Sequence, residues 1–241
     1  MWTNPYFTSP LPKAASGAKN CHGFITLCEI PDCDQRPPRI LRWRDQESCR
    51  RSVRSGVGIV ATGDPLTKLN DAQVLFARKD RPLPAERLIN EAIVIYRQKD
   101  DAHGLGNSYR EYGDLLSSTT VMRWEAIYRR DGFIDKSVTY DNRLDKAKDF
   151  YRSALENYRR AETEHRDAGQ YDALTNVYIN MAFSHQALGE TAQACADFDR
   201  AVEAYRENMH RNPDARPIIP ARFKDLPESV ESAKQQAGCP R

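Results

Sequence analysis

One pattern of small and large residues occurs three times in this chain. In each copy a small residue is followed by a large one four positions later and by another small one seven positions later. The copies are Ala85, Ile89 and Ala92; Ala147, Tyr151 and Ala154; and Ala194, Phe198 and Ala201. Positions spaced in this way share one face of an α-helix, and alanines on that face allow a second helix to approach closely. The recurrence therefore predicts three units in which one helix packs tightly against another.

The stretch 175–204 shows what such a unit contains. Tyr178, Met181, Ala182 and His185 form a helical stripe, and Gly189 then interrupts it before the second stripe begins. Glycine commonly ends a helix because it adopts a left-handed backbone conformation without steric cost. Two antiparallel helices joined at Gly189 are predicted here.

This order of large and small residues resembles the tetratricopeptide repeat, a helix pair with a period of about 34 residues. Residues 66–99 span one such unit, with Asp64 and Pro65 as helix-start signals and Gln73 replacing the family's small residue at the closest helix contact. The resemblance implies an all-α fold, a short right-handed superhelix of about three helix pairs over residues 64–211. The phrase AERLINEA at 85–92 and the long helices are similar to bacterial cell-envelope repeat proteins, some of them lipoproteins.

The second predicted unit is interrupted by residues 117–143, which we interpret as an insertion. They carry an aromatic patch of Trp124, Tyr128, Phe133 and Tyr140. Insertions in repeat proteins often map to the binding face, so we expect an exposed interaction surface, for a partner or for a homodimer.

The two ends of the chain differ from the repeats. Residues 1–63 contain several prolines and are predicted to be an irregular N-terminal extension. Residues 212–241 are predicted to form a loop and a short helix over about 227–236, with Asp225 as N-cap and Gly238 as its end. That helix could cover the last apolar face of the repeats.

In the resembled family, the first helix of each pair lines a concave groove that binds a segment of a partner protein. The resemblance places nine residues of this chain in the groove: Asn107, Arg110, Asp114, Ser117, Asn176, Ile179, Asn180, Phe183 and Gln186. The alternative is that these residues only face solvent or make contacts within the domain. The first unit has Thr67, Asn70 and Val74 at the matching positions. The set of lysines, arginines and asparagines by which some members of the resembled family clamp an acidic C-terminal tail is incomplete here, so we expect no binding to such tails.

No catalytic motif is recognisable, so we predict a non-catalytic protein without a cofactor. None of the five histidines forms a metalloprotease motif, and Gly104-Leu-Gly106 lacks the preceding strand and third glycine of a nucleotide-binding loop. Cys195 adjoins the predicted core position Ala194, and we expect it to be an inert packed thiol.

Four cysteines, Cys21, Cys28, Cys33 and Cys49, lie in the first fifty residues. Their spacing does not match the paired C-x-x-C pattern of structural zinc sites, and free thiols are the favoured interpretation. Zinc binding with His22 as an extra ligand, and a disulfide pair, stay open. The alternative function is therefore a regulatory protein with a zinc- or redox-responsive cysteine cluster on a helical platform.

The charge and apolar patterning exclude some classes of partner. A formal net charge of +2 argues against a nucleic-acid-binding protein, and we interpret the basic stretch 39–54 as a solvated face. No transmembrane run of about 18 apolar residues occurs. The start lacks the pattern of a signal peptide, which predicts a cytoplasmic protein if the start is native. The cell-envelope resemblance predicts the periplasm if a leader is missing.

Overall fold

The computed structural model describes residues 63–217, 219 and 221–240, and in them the chain forms nine α-helices. They are α1 (Pro65–Arg78), α2 (Pro82–Gln98), α3 (Ala102–Ser117), α4 (Thr119–Arg123), α5 (Glu125–Asp131), α6 (Arg143–Asp167), α7 (Tyr171–Leu188), α8 (Thr191–Arg211) and α9 (Leu226–Ala237). The predicted all-α class is confirmed. None of the helices in the described part of the chain is long and apolar enough to cross a bilayer.

The long helices pack as successive pairs. α1 packs against α2, α3 against α6, and α7 against α8, while α2 also contacts α3 and α6 contacts α7. The last helix, α9, packs on α8. Each long helix thus packs on the long helix that follows it in the chain, and the short helices α4 and α5 lie in the chain between α3 and its partner α6.

The helix ends follow the signals in the sequence. The Asp64 carboxylate accepts a hydrogen bond from the Thr67 amide at 2.8 Å and caps α1, whose first residue is proline. Asp225 caps α9 in the same way, accepting from the Glu228 amide at 2.9 Å. Gly189 ends α7 with a φ of 79°, where a side chain would be strained. These predicted caps are confirmed.

The alanines of the recurring pattern are buried at helix contacts. Their exposed fractions are 0% for Ala85, Ala92, Ala154, Ala194 and Ala201, and 2% for Ala147. The large residue between each pair of alanines, Ile89, Tyr151 or Phe198, is also buried. The prediction that small residues allow paired helices to pack closely is confirmed.

Three glycines of α3 each lie against a tyrosine ring from a neighbouring helix. A Cβ added at each would meet that ring: 2.5 Å from Tyr96 Cγ at Gly104 and closer still to its edge, 2.6 Å from Tyr158 at Gly106, and 2.8 Å from Tyr151 at Gly113. Real Cβ atoms do not approach this closely. The Gly104-Leu-Gly106 pair therefore serves packing, since it lets side chains of α2 and α6 lie directly against the backbone of α3.

The inserted residues 117–143 dock on the first helix pair. The Thr120 hydroxyl donates to the Phe76 carbonyl at 2.7 Å, and the Ile134 amide donates to the Glu86 carboxylate at 2.6 Å. Tyr112 also donates to Glu86, at 2.9 Å. Burial raises the pKa of Glu86, although these hydrogen bonds oppose the rise. The segment is thus anchored by a buried carboxylate rather than extended as a loop.

The aromatic patch in this segment is not the exposed surface that the sequence suggested. Tyr128 and Phe133 are 1% exposed and stack with ring centroids 4.1 Å apart, and Tyr140 is also buried. Trp124 is half-buried. The prediction of an exposed patch was wrong because the segment docks against Glu86 of α2, with Tyr128 and Phe133 stacked on each other.

Cys195 and Cys239 form a disulfide bond, with their Cα atoms 5.7 Å apart. The prediction that Cys195 is an inert packed thiol was therefore wrong. The two cysteines are 44 positions apart and meet because α9 turns back onto α8. The bond links the C-terminal residues to the last helix pair.

Candidate binding cavity and its polar network

A cavity of about 280 Å³ opens where the start of α3 meets α7 and the end of α6. The described residues that line it are mostly polar, with two apolar side chains: Leu66, Tyr96, Asp101, His103, Gly104, Asn107, His165, Asn176, Ile179 and Asn180. Four of these, Asn107, Asn176, Ile179 and Asn180, are among the nine residues that the repeat pattern placed in a groove. The structure brings these four together from two helices.

Asn107 is held in the cavity by hydrogen bonds from two other helices. Its Oδ1 accepts hydrogen bonds from the Tyr158 hydroxyl at 2.9 Å and from the Asn180 amide at 3.1 Å. Because an amide oxygen has two lone pairs, these two donors fix the orientation of the side chain. The Nδ2 group of Asn107 is then a donor held in place at a residue that is 8% exposed.

Asn176 and Ile179 form the α7 side of the cavity. The Asn176 Nδ2 group donates to the Asp172 carbonyl at 3.2 Å, which leaves its Oδ1 as an acceptor. Asn176 is exposed, whereas Ile179 is 1% exposed and supplies an apolar wall. This wall combines an accessible amide with a rigid apolar surface.

Two histidines at the cavity form a chain of hydrogen bonds. His165 Nδ1 lies 2.7 Å from Gln170 Oε1, and His165 Nε2 lies 3.0 Å from His103 Nδ1. Since Gln170 Oε1 can only accept, the neutral form of His165 has its proton on Nδ1 and accepts at Nε2. His103 therefore donates from Nδ1, and its Nε2 is unprotonated in the neutral pair.

The environment keeps His103 uncharged. Burial and the neighbouring His165 lower the pKa of His103 to about 4, although the carboxylates of Asp101 and Asp172 oppose this shift. Sequence reasoning missed both histidines at this site. They lie 62 positions apart on different helices, and no local pattern connects them.

Arg110 lies in a buried ionic cluster. It is 3% exposed, and its guanidinium contacts Glu111 and Asp114, each at 2.6 Å. Although burial disfavours the charged form, these two carboxylates hold the pKa of Arg110 above its usual value. Burial also disfavours the charged form of Glu111 and so raises its pKa, while the charge of Arg110 opposes that rise. Tyr151 of α6 completes the cluster, donating to Asp114 at 2.8 Å.

The other predicted groove residues do not line the cavity. Ser117 is exposed at the end of α3, where its hydroxyl donates to the Gly113 carbonyl at 2.9 Å. Phe183 is half-buried and packs edge-on against Phe198, with ring centroids 5.5 Å apart. Gln186 is half-buried farther along α7.

The other candidate sites from the sequence are a metal site and a basic surface. Within the described ranges, no group of three or more His, Cys, Asp or Glu side chains is placed to hold a metal ion. The cysteine cluster of Cys21, Cys28, Cys33 and Cys49 and the basic stretch 39–54 lie outside the described residues. Both interpretations stay predictions.

Comparison with known protein families, curated proteins and solved structures finds no match to this chain. In the described residues the structure shows paired α-helices and the polar cavity described above, and assignment to a repeat family is a proposal.

Proposed function

We propose that this protein is a non-catalytic scaffold or adaptor of the tetratricopeptide type, and that it binds an extended segment of a partner protein. In this proposal the pairs α1/α2, α3/α6 and α7/α8 form a short right-handed superhelix, with α1, α3 and α7 along its concave side. Support comes from the thrice-repeated alanine pattern, whose small residues are all buried. The contacts of α3 with both α1 and α7 also fit this arrangement.

The observation that carries the proposal is the joint placement of Asn107, Asn176 and Ile179 at one cavity. An extended peptide presents backbone donors and acceptors that no secondary structure satisfies. Asn107 offers a fixed donor, and Asn176 offers an acceptor, so both kinds of backbone group can be paired. Ile179 offers an apolar contact for one side chain of the segment.

The buried ionic cluster restricts which segments can bind. The Arg110 guanidinium already contacts two carboxylates and is nearly inaccessible. Removing it from them would leave Glu111 and Asp114 without their charge partner, at a cost of about 3 kcal/mol or more. Arg110 is thus a poor ligand for a C-terminal carboxylate, which agrees with the expectation that acidic tails do not bind.

The test is selection of random peptides displayed on phage against the full-length protein, followed by fluorescence anisotropy with the selected peptides. The variant Asn176→Ala removes one accessible hydrogen-bonding group of the cavity. A hydrogen bond contributes about 1 kcal/mol, so we expect about fivefold weaker binding.

The matched control is Asn157→Ala on α6. Asn157 also donates to the carbonyl four residues before it, at 2.8 Å, but it does not line the cavity. We expect binding of Asn157→Ala within twofold of the unchanged protein. Equal effects of the two substitutions would place the binding face elsewhere, and failure to select any peptide would argue against the function.

A further inference from the structure

We propose that the cavity recognises a primary ammonium group. The ammonium group is then the side chain of a lysine in the bound segment, and this identification rests on the proposed function. Three properties of the lining lead to this conclusion: the sign of its fixed charge, its hydrogen-bond acceptors and its size.

The fixed charge at the cavity is negative. Asp101 is the carboxylate among the described lining residues, and none of those residues is lysine or arginine. The shared hydrogen bond between the two imidazoles needs an unprotonated ring nitrogen as its acceptor, and burial beside His165 lowers the pKa of His103 to about 4. Asp172, at the start of α7, adds a second carboxylate close enough to act on His103. A cation is therefore attracted to this cavity and an anion is repelled.

Acceptors predominate among the hydrogen-bonding groups of the lining. Asp101 uses Oδ1 to accept from the Gly104 amide at 2.8 Å, which leaves Oδ2. The Oδ1 atom of Asn176 and the unprotonated Nε2 atom of His103 are two more acceptors. An ammonium group has three donors and no acceptor, so it matches this set in number and kind. A carboxylate has only acceptor oxygens, and in this cavity they would mainly face other acceptors.

The size of the cavity suits one side chain. Its volume of about 280 Å³ is just below the range of roughly 300–1,000 Å³ typical of sites for drug-sized ligands. Leu66, Ile179 and the ring of Tyr96 give it apolar surface, against which the methylene stem of a lysine can pack while the ammonium reaches the acceptors.

The experiment titrates the ¹⁵N-labelled full-length protein with n-butylammonium, n-butanol and butyrate, and follows amide chemical shifts. These probes share an apolar chain and differ in the polar group. We expect saturable shifts at Gly104, Asn107 and Ile179 with n-butylammonium, and at least fivefold weaker binding of the other two probes. Equal binding of butyrate, or no binding of n-butylammonium, would overturn the proposal.

Two charge-removing variants provide the matched pair. Asp101→Asn keeps an oxygen that can cap α3, since asparagine is as good an N-cap as aspartate, but it removes the charge of the lining. Asp100→Asn removes the adjacent charge, which is exposed and paired with Arg160, at a backbone φ of 51° that asparagine tolerates. We expect at least fivefold weaker n-butylammonium binding for Asp101→Asn and a change within twofold for Asp100→Asn. Equal effects would refute the assignment of Asp101.

Binding of substituted peptides distinguishes the ammonium site from the proposed peptide-binding function. A selected peptide that contains lysine is compared with the same peptide carrying norleucine, glutamate or arginine at that position. Weaker binding of all three supports the ammonium site. Equal binding of the norleucine peptide upholds the groove and refutes the ammonium proposal. Binding of n-butylammonium without binding of any peptide supports a site for a free amine and refutes the peptide-binding function.

Discussion

Replacing Gly104 by alanine tests the close contact between α2 and α3. The added Cβ would lie 2.5 Å from Tyr96 Cγ and nearer still to the edge of the ring. Forcing an extra carbon into a packed contact costs up to about 3 kcal/mol. Alanine regains about 1 kcal/mol of helix propensity over glycine. We therefore expect a net destabilisation of about 2 kcal/mol, measured by urea unfolding with far-ultraviolet circular dichroism.

A second background shows whether the tyrosine ring causes this loss. Tyr96→Ala alone should destabilise by about 3 kcal/mol or more, because a large buried side chain is removed. In that background the ring no longer opposes the new Cβ, so Gly104→Ala should stabilise by about 1 kcal/mol. The sign of the substitution is thus expected to reverse. Stabilisation by Gly104→Ala in the otherwise unchanged protein, or a loss of equal size in both backgrounds, would refute the reasoning.

Three other predictions concern the disulfide, the histidine pair and the buried carboxylate. Cys239→Ser should lower the free energy of unfolding by about 2–4 kcal/mol, and peptide mapping of the unreduced protein should recover the linked peptides; alkylation of both cysteines in the native protein would contradict the pairing. Because the pKa of His103 is about 4 in the fold and about 6.5 in an unfolded chain, the unfolded chain takes up the proton first. Stability should then fall by up to about 3 kcal/mol as the pH drops from 6.5 to 4, and His103→Gln should flatten that part of the stability profile; an unchanged profile would contradict the assignment. Glu86→Gln keeps an acceptor for Tyr112 and the Ile134 amide and should change the unfolding midpoint little, whereas Glu86→Leu should cost about 2 kcal/mol or more; equal effects of the two variants would argue against this anchoring contact.

Features encoded by neighbouring residues were predictable from the sequence. Asp64 stands directly before Pro65, and Asp225 stands before a first turn that contains Glu228. Gly189 and Gly238 each follow an apolar stripe. The helix ends could therefore be located from local chemistry. The alanine stripes repeat at a spacing that fixes their shared face, which is why their burial was predicted.

Features that depend on how distant segments meet were not predictable in the same way. The His103–His165 pair joins residues 62 positions apart, and the Cys195–Cys239 bond needs α9 to fold back. The burial of Arg110 had a local signal: Asp114 lies four positions on, a spacing at which opposite charges pair on a helix. Weighing that pair would have indicated an internal role for this arginine.

The passage of Tyr158 across Gly106 has a consequence for long-range communication in the molecule. Tyr158 belongs to α6, yet its hydroxyl helps to orient the Asn107 amide at the cavity. Lengthening that 2.9 Å bond by about 1 Å would break it and leave the Asn180 amide as the other donor to the Asn107 oxygen. Displacement of α6, whether by a protein docked on its outer surface or by a substitution there, would thereby remove one of the two hydrogen bonds that orient Asn107 in the cavity. The glycine that permits close packing thus also ties the position of α6 to the orientation of a cavity amide.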